Sequence, residues 1–154
     1  YAIGRAASDF KEFYMLPVGD KLMQFDHLAV NTIVRTEAGG INTCDIPFSR
    51  NIRAFAADYL LLTAEAARSN EELNLGDDYM VIGTSALTKC ELDSVVNLYA
   101  GFYNNPFVVW GKYRKGLWRT TLPISFQFHH TQMDGPISTG FLNRLQEVFN
   151  EIEF

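Results

Sequence analysis

At 154 residues, with 47% hydrophobic and 14% aromatic side chains, the chain has the size and composition of a single globular domain with a real core, not of a disordered or multi-domain protein. Its net charge of −5 is spread along the sequence without a basic patch or stripe, which argues against nucleic acid as a partner. No apolar run approaches the roughly 20 residues that span a bilayer, and the N-terminus lacks the charged-then-apolar order of a signal peptide. A cytoplasmic protein is therefore expected, with no membrane partner. Cys44 and Cys90 share no CxxC spacing and are expected to be reduced and buried. The chain opens on Tyr1 rather than Met, which is read as a missing upstream segment.

In chain order, "AIGRAASDFKEF" carries Ile3, Ala6, Ala7, Phe10 and Phe13 at helical spacing. "MLPVGDKLMQF" reads as a hairpin turning at Gly19-Asp20, "FDHLAVNTIVRT" as a strand and "EAGGIN" as a glycine-rich loop. His27, in that strand, has no second ligand at metal spacing and is read as a surface or packing residue. A long amphipathic helix is predicted from Asp45, as N-cap with Pro47 in the first turn, to about Ser69, on the spacing of Phe48, Ile52, Phe55, Tyr59, Leu60 and Thr63. "RSNEELNLGDD" ends it, and "YMVIGTSAL" is a strand running into small polar residues.

The stretch from "VVNLYAGF" to "FQFHH" gives two strands joined at "YRKGLW", with Lys115-Gly116 as the turn. In the second strand Leu122, Ile124, Phe126 and Phe128 form the core face. A closing helix follows Gly135, with Phe141, Leu145, Val148, Phe149 and Ile152 on one side. The order of elements predicts one domain over residues 1–154 in the α/β class, an α+β two-layer sandwich with helices packed against a mixed β-sheet.

"FQFHHTQMDG" carries the chemistry. Two histidines ending a buried strand are costly unless hydrogen-bonded, and imidazole is well matched to proton exchange near neutral pH. The residues alone leave a general base and a packing role at even odds. Asp134, four residues past His130, either orients a histidine or holds the turn before the last helix by pairing with an arginine. Adjacent histidines on a strand point to opposite faces, so His129 and His130 are not expected to share a metal ion. No Walker-type or dinucleotide glycine motif is present.

The segment "GKYRKGLWRTTLPISFQFHHTQMDGPISTGFLNRLQEVFN" resembles the C-terminal region of the chloramphenicol acetyltransferase family: a "GKY" strand, an "LPL"-type strand ending in HHxxxDG, then a helix with an "LNELQ"-like segment. The matching residues include Gly111-Lys112-Tyr113, Leu122-Pro123, His129-His130, Asp134-Gly135, Asn143 and Gln146. The resemblance implies a homotrimer with active sites at subunit interfaces, acetyl-CoA as co-substrate, and a small hydroxyl-bearing acceptor that it does not name. No acetyl-CoA-binding residue is assigned. It implies that His130 is the base that deprotonates the acceptor as its oxygen attacks the thioester, and that Asp134 is structural, paired with an N-terminal arginine. A hydroxyl donor to the oxyanion is also implied; in "GTSALTK" this is Thr84 or Ser85, with Ser85 preferred.

Three positions depart from the family. No Pro-Trp follows Ser85. Val109-Trp110 stand where the family places threonine and methionine, and a tryptophan there is expected to narrow the pocket. For the arginine partner of Asp134, only Arg5 offers itself. An alternative is thus a catalytically inactive trimeric homologue acting as a ligand-binding or structural component. A third reading, the acyltransferase core of 2-oxo acid dehydrogenase complexes, expects an acidic residue before the histidine and a basic one after it, where this chain has His129 and Thr131.

Overall fold

The computed structural model describes residues 1–69, 71–95 and 103–152. The first part of the strand read after Val95 lies outside them. Helix α1 (Ala2–Ala7) is followed by a 3-10 turn over Lys11–Tyr14, so the single N-terminal helix read from spacing is broken at Ser8–Phe10. Strands β1 (Met15–Val18) and β2 (Lys21–Gln24) form the expected hairpin, with Gly19 at φ +61°. That left-handed conformation is open to glycine at little cost.

β3 (His27–Arg35) returns through a loop with Gly39 at φ +88° into β4 (Ile41–Pro47). This strand replaces the predicted start of the long helix. Asp45 is no N-cap: it lies in β4 opposite Asn31, and Pro47 ends the strand opposite Ala29. Helix α2 (Ile52–Arg68) starts later, capped by Asn51, whose side chain accepts the Arg53 and Ala54 N–H groups. Of the predicted apolar stripe Phe55 is buried, but Tyr59 and Leu60 are exposed.

β5 (Tyr79–Leu87), β6 (Phe107–Gly111) and β9 (Ile124–Gln127) complete a five-stranded mixed sheet in the order β4-β3-β5-β6-β9. β3, β5 and β6 run parallel, and the two edge strands are antiparallel to their neighbours. A two-stranded arm, β7 (Arg114–Lys115) and β8 (Thr120–Thr121), projects between β6 and β9 and turns at Gly116–Arg119. Helix α3 (Gly135–Glu151) closes the fold.

The α-helices among the described residues pack on one face of the sheet. Alternation sends Leu28, Met80, Ile82, Val108 and Phe126 to that face, where they meet α1 and α3. Phe141 of α3 is the hub, with ring centroids 4.7 Å from both Phe13 and Phe126. α2 covers the β4 end through Phe55 and Ala66 against Cys44 and Ile46. Cys44 is buried, and desolvation with nearby Asp45 and Glu65 pushes its thiol up to about 11; Cys90, expected to be buried, is exposed.

A charged knot ties the helical layer together. The Asp9 carboxylate accepts from Arg5 of α1 at 2.7 Å, Arg50 at 2.8 Å and Arg144 of α3 at 2.9 Å. Burial pushes Asp9 up, but the hydrogen bonds from Arg144, Arg5 and Arg50 together outweigh it and bring the carboxyl down to about 2. A depressed carboxyl stabilises the fold above its unfolded value of 3.8, and that stability is lost as pH falls toward 2. Asp9→Asn is expected to cost about 1–2 kcal/mol near neutral pH, or about 2–8 °C in melting temperature. It should also flatten the pH dependence of the melting temperature between about pH 4 and 2; an unchanged acid slope would contradict the assignment.

Candidate active site

β9 ends at Gln127, so His129 and His130 stand beyond it in the turn before α3 rather than on a buried strand. His129 is half-buried. Its Nδ1 accepts the Thr131 N–H at 3.1 Å and its carbonyl accepts the Gln132 N–H at 2.9 Å. His130 is exposed, and no described residue hydrogen-bonds its ring. Burial therefore does not restrain His130 within one chain. The turn itself is fixed by Gln132, 3% exposed, whose side-chain amide donates to the carbonyls of Glu12 and Met15. The HHxxxDG segment is thereby moored to the entrance of β1.

Asp134 caps α3, accepting the Ile137 N–H at 3.1 Å, with Pro136 in the first turn. It holds the turn by capping; among the described residues neither a histidine nor an arginine is its partner. Arg5, the substitute read from the sequence, is committed to Asp9.

The two hydroxyl candidates separate by face. Thr84 points to the helical side, 3% exposed, and donates to the Asn31 carbonyl at 2.7 Å. Ser85 is half-buried on the opposite face, helix-free among the described residues, in one row with Val109 and Ser125. Val109 is thus the position beside the serine, while Trp110 packs into the helical-side core and does not narrow the site.

Ser85 and His130 do not come together in one chain. β9 runs opposite to β5 and β6, so the turn that follows it lies at the end of the sheet where those strands begin. The register separates the two residues by two strand spacings, about 9.6 Å, and by the five residues from Ser125 to His130.

Two further features escaped the sequence reading. The helix-free face holds a cavity of about 570 Å³, walled by Asn31, Asp45, Val81, Gly83, Phe107 and Gln127 among others. Asp45, in β4 and not at a helix cap, takes its place there through pairing with β3. Past the opposite end of β6, Lys112 and the β7–β8 arm with Arg114, Lys115 and Arg119 hold four of the chain's 13 lysines and arginines. Leu117 and Trp118 at its tip are each 96% exposed, and the Lys115 Nζ lies 5.9 Å from the Tyr113 ring centroid. The signal was present in "KYRKGLWR", but the even spread of charge over the whole chain concealed it.

Among the described residues no three His, Cys, Asp or Glu side chains converge as metal ligands, and no helix is long and apolar enough to cross a membrane. The family model for chloramphenicol acetyltransferase matches residues 1–146. A chloramphenicol acetyltransferase 3 from Escherichia coli is 30% identical over 156 residues, covering 97% of this chain and 72% of that protein. A solved chloramphenicol acetyltransferase superimposes with a TM-score of 0.81 at 21% identity, over 96% of this chain and 74% of that one. The cubic core of the pyruvate dehydrogenase multienzyme complex is a more distant fold neighbour, with a TM-score of 0.71 at 16% identity over 97% of this chain and 67% of that one. Fold and sequence agree, and the chain belongs to the chloramphenicol acetyltransferase family.

Proposed function

We propose that the chain is an acetyl-CoA-dependent O-acetyltransferase that works as a homotrimer, with His130 of one subunit facing Ser85 of the next. The division of the site carries this reading: Ser85 lies on a face that none of the described helices covers, and His130 stands on an exposed turn with no partner among the described residues. The names of the relatives supply chloramphenicol as one acceptor to test.

In this mechanism a neutral His130 imidazole takes the proton of the acceptor hydroxyl while that oxygen bonds to the thioester carbonyl carbon. The Ser85 hydroxyl donates to the oxyanion that develops. Collapse re-forms the carbonyl and breaks the carbon–sulfur bond, and the imidazolium returns its proton to the departing thiolate. Gln132 and Asp134 hold the turn that presents His130. The β7–β8 arm offers cations for the phosphates of CoA and the Trp118 face for its adenine, on the same side of the sheet as the Ser85 end of β5.

One observation favours a second reading, a catalytically inactive trimer that binds a ligand or serves as a structural component. Val109 stands beside Ser85, the position at which the resemblance with strands in register implies a threonine, and it brings no hydroxyl to the site.

Thiol release from acetyl-CoA, measured with chloramphenicol and a panel of small hydroxyl compounds, decides between them. Acceptor-dependent release is expected to fall about 10²–10⁴-fold in His130→Ala and about 10²–10³-fold in Ser85→Ala. Trimers assembled from equal amounts of the two inactive variants should regain about a quarter of wild-type activity, because a quarter of the interfaces pair an intact histidine with an intact serine. No recovery in verified mixed trimers would place both residues' work within one subunit, and no release from wild type with any acceptor would favour the inactive reading. Trp118→Ala is expected to raise the KM for acetyl-CoA about tenfold with little change in kcat.

A further inference from the structure

We infer that the cavity on the helix-free face selects an acceptor that carries a cationic amine beside the hydroxyl to be acetylated. This rests on the acetyltransferase reading, with the cavity as the acceptor site. At about 570 Å³ it falls within the roughly 300–1,000 Å³ typical of small-molecule sites. Leu16, Ile33, Val81 and Phe107 give it apolar walls, whereas Asn31, Asn105 and Gln127 give it amides. Among the described residues its charges are of one sign: Asp45 and Glu72 line it, and no lysine or arginine does.

Asp45 is the group that sets the chemistry. It is 4% exposed, and each oxygen is held by one neutral donor: Oδ1 by the Asn31 side-chain amide at 2.7 Å, Oδ2 by the Leu75 N–H at 2.9 Å. These bonds fix the carboxylate in position through uncharged donors, and among the described residues no cation lies within ion-pairing distance. A carboxylate accepts about four hydrogen bonds, so about two sites remain for a ligand. A buried charge without a counter-charge is costly, and an entering ammonium relieves that cost where water is scarce and attraction is strong. Glu72 is exposed and adds a second negative charge to the same cavity. The geometry therefore favours an amino alcohol or amino sugar over a neutral acceptor of the same shape.

The test uses pairs of acceptors that share a skeleton and differ by an amine against a neutral isostere, with wild type, Asp45→Asn and Glu72→Gln. In wild type the amine-bearing member should have a kcat/KM about tenfold higher, mostly through KM, and Asp45→Asn should remove most of that preference. Equal or better use of the neutral member by wild type overturns the inference and leaves the acetyltransferase reading standing. Should Asp45→Asn not fold, Glu72→Gln carries the test: the preference should drop about threefold and weaken in high salt, and an unchanged preference overturns it. If no acceptor is turned over, the acetyltransferase reading fails separately, and calorimetry of the amine compound alone decides: binding lost in the variants supports the cavity assignment, and absence of binding to wild type overturns it.

Discussion

The sheet carries α1, α2 and α3 on one side, and the rest of the molecule follows from that. Strand residues of one parity go to the helical layer and give the fold its core; those of the other parity face outward. The outward set holds the cavity and Ser85 together with Ile33, 46% exposed, and Ile41, 77% exposed. A sheet face that leaves apolar side chains such as Ile33 and Ile41 exposed suits burial against another copy of the chain, as the proposed trimer requires. One layer answers for stability and the other is left for chemistry.

Two carboxylates show how the layers differ. Asp9, between the helices, meets three arginines and is driven to about 2, so its charge is secured and its role is to hold α1, the segment before α2 and α3 in place. Asp45, on the open face, is more deeply buried yet meets only an amide and a backbone N–H. The same functional group is compensated from within the chain in one place and left to be compensated from outside it in the other. Placement among neighbours, not residue type, separates a structural acid from a recognising one.

Much of this was legible in the sequence. β3 and β5 could be read as short apolar runs bounded by turn residues, and α3 from its helical spacing and its cap. The family could be read from HHxxxDG followed by the "LNRLQ" helix. β4 was lost because Asp45 and Pro47 look the same at the start of a helix as at the end of a strand, and only pairing with β3 tells them apart. His129 and His130 were placed on a buried strand because the apolar alternation runs on to Phe128, although pairing to β6 stops at Gln127. For Trp110 the sequence states the size of the side chain but not the face of the sheet it occupies, and that face is the helical one. Each error arose where a residue's role depends on what lies across the sheet.

Gly83 sits in the wall of the cavity, paired with Phe107, and a Cβ added there would run into the Phe107 ring. The ring can lie flat over the backbone because the strand offers it a bare position. Any larger residue at 83 would lift the aromatic ring away from the sheet and into the open volume. The range of molecules that fit is thus governed in part by a residue with no side chain of its own, and a single change there would reshape the chamber while leaving Ser85, Asp45 and His130 in place.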